Sequence, residues 1–150
     1  MSGVRSFRDL LVWQKSMDLA AEAYRLSKLL PREEEYRLTS QLLRAAASVP
    51  ANIAEGHGRG TRKDYAKFVS IAYGSLAEAE THFLLLNRIG MLSELDVRSA
   101  LSLCKETGRM LNSLRLKLRS TPAVADGDNA HLAMPDPGLL VHVSSLKPDP

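Results

Sequence analysis

Apolar side chains recur along this chain at steps of three and four residues, the spacing that places successive helical turns on one face. The pattern is most regular where Tyr65, Phe68, Ala72, Leu76, Ala79, Phe83 and Leu86 follow one another. Three other segments share it. Leu10, Trp13, Met17, Ala20 and Tyr24 predict a first helix, and Leu38, Leu42, Ala45, Val49 and Ile53 a second. Val97, Leu101, Cys104, Gly108 and Leu111 predict a fourth. Each stripe is narrow enough to serve as the seam of a helical bundle.

Helix punctuation falls where the periodicity begins and ends. Ser6-Phe-Arg-Asp9 and Thr61-Arg-Lys-Asp64 have capping-box spacing, with Asp in place of Glu or Gln, and Ser93-Glu-Leu-Asp96 opens the fourth helix. Pro31 followed by Glu33, Glu34 and Glu35 suits a helix start, because proline has no amide hydrogen to lose and carboxylates favour the positive end of the helix dipole. Pro50 lies inside the second pattern, and Val49 and Ile53 keep their phase across it, so a kink is expected rather than a stop. Gly56, Gly58 and Gly60 end the second helix, and Gly90 ends the third. The resulting boundaries are about 7–30, 32–57, 62–89 and 94–118, joined by short loops. That order predicts an all-α, antiparallel up-and-down four-helix bundle over residues 1–118.

Beyond Arg119 the periodicity is lost, and five of the seven prolines lie there. Residues 119–150 are therefore expected to form a flexible tail that buries too little apolar surface to offset its ordering entropy. Leu139-Leu140-Val141-His142-Val143 is the exception, a candidate for docking on a neighbouring surface.

Composition narrows the setting. A 150-residue chain that is 45% hydrophobic and 25% charged is that of one globular domain. No window approaches the roughly 18 to 20 apolar residues that span a bilayer, and the run Leu10–Trp13 is too short for a signal-peptide core. A cytoplasmic protein without a membrane partner is expected, and a single cysteine fits a reducing compartment. The formal charge of +3 is uneven: residues 1–118 hold 18 basic against 13 acidic side chains, whereas residues 119–150 hold two against four. A basic folded part with an acidic tail admits a polyanionic partner without requiring one.

Few side chains offer chemistry. Di-metal bundles use paired Glu-x-x-His motifs, and none occurs; Glu78 and His82 are four apart, the spacing of an ordinary surface pair. His57, His131 and His142 have no metal-ligand spacing, and Cys104 falls on a core stripe, where a thiol is inert. The expectation is a protein that is not an enzyme and uses no metal or cofactor.

Two polar features remain. Arg37, Gln41, Arg44, Ser48, Asn52, Glu55 and Arg59 form a stripe along the second helix, which reads either as a solvated face or as a subunit interface or channel lined by Gln41, Ser48, Asn52 and Glu55. Ala45, Ala46, Ala47, Ala51 and Ala54 beside it would let another backbone approach closely. Gly56-His-Gly-Arg-Gly-Thr-Arg-Lys63 leads into a helix N-terminus, where Arg59, Arg62, Lys63 and Lys67 would suit a phosphate. It matches neither the Rossmann nor the Walker pattern, and a plain helix–helix loop is the ordinary reading. Tyr65 and Phe68 are assigned to the core, which leaves little for base stacking.

Phe7-Arg-Asp-Leu-Leu-Val-Trp-Gln-Lys15, the stretch Leu38–Gly56 with its Asn-Ile-Ala-Glu-Gly block, and Gly74-Ser-Leu-Ala-Glu78 resemble the signature segments of four-helix bundle proteins encoded within intervening sequences of bacterial large-subunit ribosomal RNA genes. The resemblance covers about residues 6–118. It departs at Arg37, where the family usually has glycine after an aromatic residue, and at Ala79, where leucine is expected. It implies a homo-oligomer, usually a ring of five, with no catalytic residues and a role in nucleic-acid binding; a more distant group assists the reverse transcriptase of diversity-generating retroelements. Two functions follow as expectations. One is a ring that binds RNA, in preference to DNA, through Arg37, Arg44, Arg59, Arg62, Lys63 and Lys67. The other is an adaptor that recruits a protein partner, its basicity incidental.

Overall fold

The computed structural model describes residues 3–120. Its helices are α1 (Leu11–Ser27), α2 (Ser40–Gly58), α3 (Arg62–Arg88) and α4 (Glu94–Ser120), with no strand among the described residues. Each helix packs on its sequence neighbours, and α1 closes the ring against α4, giving an all-α, antiparallel four-helix bundle. The tail beyond Ser120, including Leu139–Val143, lies outside the described residues.

The core is built from one stripe per helix. In α3, Tyr65, Ala72, Leu76, Ala79, Phe83 and Leu86 are buried, whereas Phe68 is only half-buried. In α2 the buried set includes Leu42, Ala45, Val49 and Ile53, and in α4 it includes Val97, Cys104 and Leu111. The first helix differs. Its core face is Val12, Ser16, Leu19, Ala23 and Leu26, while Met17 and Tyr24 of the expected stripe are 43% and 53% exposed. The helix is rotated by roughly one residue from that expectation. Ser16 makes the rotation tolerable, since its hydroxyl donates to the Trp13 carbonyl at 2.7 Å and enters the core already satisfied.

Helix starts follow the capping chemistry, with two adjustments. Ser6 accepts from the Arg8 amide and Asp9 reaches back to the Ser6 amide, but the turn they cap is a 3₁₀ turn, Phe7–Asp9. Leu10 then takes an extended conformation, and α1 proper begins at Leu11. Before α2, residues Arg32–Glu34 form a 3₁₀ turn and Glu35–Thr39 a π turn, so the α helix starts at Ser40 rather than near residue 32. Within that π turn Arg37 leaves helical geometry (φ −115°, ψ −113°). Thr61 and Ser93 cap α3 and α4 by accepting from the amides of Asp64 and Asp96.

The helix α2 continues through Pro50, which is buried, and extends to Gly58. Gly56 therefore does not end it. A Cβ placed on Gly56 would lie 2.7 Å from the Phe68 Cβ and 3.1 Å from Tyr65 Cδ2, so this glycine lets α2 and α3 approach where they meet the turn. The reversal itself uses Gly60, at φ +77°.

Candidate nucleic-acid interface

Up-and-down topology sorts the termini into two ends. One end gathers the N-terminal turn, the α2–α3 junction and the C-terminus of α4; the other gathers the α1–α2 and α3–α4 junctions. Residues 3–9, 55–67 and 112–120, which make the first end, carry nine Lys/Arg (Arg5, Arg8, Arg59, Arg62, Lys63, Lys67, Arg115, Lys117 and Arg119) against Asp9, Glu55 and Asp64, a net +6. Residues 22–37 and 85–98 at the opposite end hold six basic and six acidic side chains, a net zero. The middle of the bundle balances at four of each. The whole excess charge of the described chain thus sits at one pole, which is how a polyanion is attracted and oriented.

Four of the six basic candidates share that pole. Lys63 and Lys67 are exposed there. Arg59 pairs with Glu55 at 2.7 Å, and its guanidinium lies 5.3 Å from the centre of the Phe68 ring, with the Lys67 ammonium 5.9 Å from the same ring. Half-buried Phe68 thus acts as an apolar platform for two cations rather than as core filler. Arg62 has a different task. Its Nη2 donates to the Lys117 carbonyl at 2.7 Å and its Nε to that of Leu118 at 3.3 Å, tying the start of α3 to the end of α4. The Lys117 carbonyl also accepts from the Ser120 hydroxyl at 3.3 Å, and the arginine adds a charged donor there that offsets the negative end of the dipole.

The N-terminus of α3 is less open than the loop sequence suggests. Thr61 Oγ1 accepts from the Asp64 amide at 3.1 Å and donates to Asp64 Oδ2 at 2.9 Å, a capped start with its own carboxylate in place. Side chains, not free amides, make this a positive surface. His57 is half-buried beside it, its ring edge-on to Tyr65 at 5.9 Å between centroids, and burial lowers its pKa despite the opposing charge of Asp9.

The remaining candidates lie elsewhere. Arg44 is exposed fifteen residues before Arg59 on α2, about 22 Å away at the helical rise. Arg37 stands at the neutral end, 3.9 Å from Glu34. Conversely, Arg5, Arg8, Arg115, Lys117 and Arg119 belong to the basic pole although no local motif marks them. The signal that finds them is the antiparallel order itself, applied to the positions of the charges.

Of the residues expected at an interface or channel, Gln41 and Glu55 are exposed, but Ser48 and Asn52 are half-buried where α2 meets α3. The Ser48 and Ser75 hydroxyls are 3.0 Å apart, and Asn52 Nδ2 donates at 2.8 Å to both the carbonyl and the hydroxyl of Ser48. The Ser48 hydroxyl and the Asn52 amide nitrogen thus have partners within the chain. Among the described residues, groups suited to catalysis do not converge elsewhere. Glu78 and His82 are 3.6 Å apart, but His82 is only 12% exposed rather than a surface residue. Burial, with Glu80 nearby, pushes the Cys104 thiol up to about 12. Among the described residues no group of three or more His, Cys, Asp or Glu could hold a metal ion, and no helix is long and apolar enough to cross a membrane.

Comparison with known proteins agrees with this architecture. The chain is similar over 70% of its length, and over 98% of the other chain, to a protein of unknown function from the S23 ribosomal protein family of Bacteroides thetaiotaomicron VPI-5482, at 27% identity and a TM-score of 0.66. No curated protein matches. The model of the 23S rRNA-intervening sequence protein family matches residues 8–113, which is nearly the whole bundle. The chain belongs to the 23S rRNA-intervening sequence protein family.

Proposed function

We propose that this protein is a cytoplasmic, non-enzymatic homo-oligomer, a ring of five bundles, that binds nucleic acid, RNA in preference to DNA, through its basic pole. The observation that carries the reading is the concentration of a net +6 on one end of an otherwise neutral bundle. Lys63, Lys67, Arg59, Arg8 and Arg119 are exposed at that end and are the contact residues for a phosphate backbone. Arg62 supports the surface by holding α4 in place, and Arg37 and Arg44 lie too far along the bundle to join the same contact. The family's link to an rRNA intervening sequence supports RNA as the ligand.

Binding to a structured RNA and to a DNA duplex of equal length, titrated with salt, tests this directly. Affinity should fall steeply with salt, and the triple variant Arg59→Glu/Lys63→Glu/Lys67→Glu should lose binding while keeping its oligomeric mass. For each phosphate that a charge-neutralising variant no longer engages, the logarithmic salt slope should flatten by about 0.7 to 0.9. An unchanged slope in the variant, or no binding at low salt, refutes the reading. A cysteine at Arg44, on the exposed edge of α2, tests assembly by crosslinking between copies.

A second reading, an adaptor that recruits a protein, is favoured by the neutral end, where Tyr36, Leu95 and Leu29 are 88%, 71% and 53% exposed. Loss of partner capture on polar substitution of these three, with the basic pole intact, would select it.

A further inference from the structure

The rotation of α1 leaves a second apolar stripe at the rim of the core, where Phe7 and Trp13 are partly buried and Met17 and Tyr24 are exposed. Phe7, Trp13, Met17 and Tyr24 form one wall of an almost wholly apolar groove of about 500 Å³, and Ala47 and Ala51 of α2 line the other. Phe7 and Trp13 meet edge to face at 5.2 Å, closing the end nearest the basic pole. Trp13 to Tyr24 spans eleven residues of helix, about 16 Å. An extended five-residue segment covers about 17 Å.

We propose that this groove is the docking site of the chain's own segment Leu139–Val143, whose Leu139, Leu140, Val141 and Val143 supply aliphatic side chains over that length. Three observations point to this occupant. The described chain ends at Ser120 on the same pole as Phe7, and residues 121–138, eighteen in all, reach the groove with room to spare. Extended, they cover up to about 60 Å against a bundle about 40 Å long. Those residues also carry Asp126, Asp128 and Asp136 with no Lys or Arg, a charge complementary to the net +6 pole at which the described chain ends. Finally, tethering gives the segment an effective concentration on the order of millimolar, so that docking needs only weak intrinsic affinity. The small side chains of Ala47 and Ala51 let an extended backbone lie close to α2, and the Met17 thioether adapts to branched side chains.

Trp13 is the only tryptophan, so its emission reports on the groove. In the full chain, Leu140→Asp/Val141→Asp should shift Trp13 emission to longer wavelength without altering helicity, since these residues lie outside the bundle. In a second full-length variant, Ala51→Cys/Val141→Cys should close a disulfide within one chain in dilute solution, seen at monomer mass, and Cys104 is buried and stays out of the reaction. Unchanged emission together with no intrachain disulfide overturns the proposal. So does efficient Ala51→Cys crosslinking between copies that ignores the tail substitutions, which would assign the groove to a second copy. Neither readout involves nucleic acid, and both stand apart from the function proposed for the basic pole.

Discussion

Substitution of Gly56 by alanine tests how closely α2 and α3 are drawn together. Alanine is intrinsically favoured in a helix interior by about 1 kcal/mol over glycine. At Gly56 the added Cβ would meet the Phe68 Cβ at 2.7 Å, the Tyr65 Cδ2 at 3.1 Å and the Tyr65 carbonyl oxygen at 3.4 Å. The first contact is to a Cβ fixed by the α3 backbone, so it cannot be relieved by a side-chain rotation. The helices must separate by about 1 Å, and overpacking of this kind costs about 1 to 3 kcal/mol. The net expectation is destabilisation by about 1 kcal/mol, with an upper limit of about 2. Gly74 provides the control, because it is exposed within α3 and its added Cβ would meet nothing within 4 Å. Gly74→Ala should stabilise by about 0.5 to 1 kcal/mol. Urea unfolding followed by circular dichroism measures both variants on one scale. If Gly56→Ala proves as stable as Gly74→Ala, the close approach is not a constraint and the packing argument fails.

Three further outcomes are expected. Arg62→Ala should fray the end of α4 and lower stability by about 1 to 2 kcal/mol, because it removes hydrogen bonds from a charged donor to the Lys117 and Leu118 carbonyls; amide exchange across 112–120 should rise selectively. His57 has a pKa lowered by burial, so the fold prefers its neutral form. The stability this contributes is complete above the ordinary histidine value of about 6.5 and is lost as pH falls through the lower folded value, and His57→Gln should flatten that part of a pH–stability curve. Cys104, pushed up to about 12, should resist thiol reagents at pH 8 in the folded protein and react at a rate set by opening of the bundle, so rapid labelling under native conditions would contradict its burial.

Much of this fold is legible from periodicity because α2, α3 and α4 each carry a single dominant apolar stripe. The first helix carries two, one residue apart. Trp13, Met17 and Tyr24 look like core by size, whereas the stripe actually buried contains Ser16, whose fitness for the interior depends on a hydrogen bond to its own helix. Hydrophobicity alone cannot rank them. Gly56 misleads in another way: a glycine near a helix end reads as a terminator, and only the proximity of Phe68 and Tyr65 reveals that it admits a neighbouring helix. The basic pole is visible in part, through Arg59, Arg62, Lys63 and Lys67. Arg5, Arg8, Arg115, Lys117 and Arg119 escape any local motif because they come from segments far apart in sequence. Arg62 is legible as a charge but not as a brace, since its partners are main-chain carbonyls that no residue pattern announces.

If the bundles assemble and bind nucleic acid as proposed, the concentration of charge at one pole would link ligand capture to assembly. In a closed ring whose bundles stand parallel to the axis, every basic end faces the same way, and the copies repel one another across that face. A bound polyanion neutralises the repulsion, so it favours the assembled state, and by thermodynamic reciprocity the assembled state binds the polyanion more tightly than separate subunits do. Salt then acts in opposite directions on the two equilibria: it weakens the ligand's hold while easing the approach of one subunit to the next.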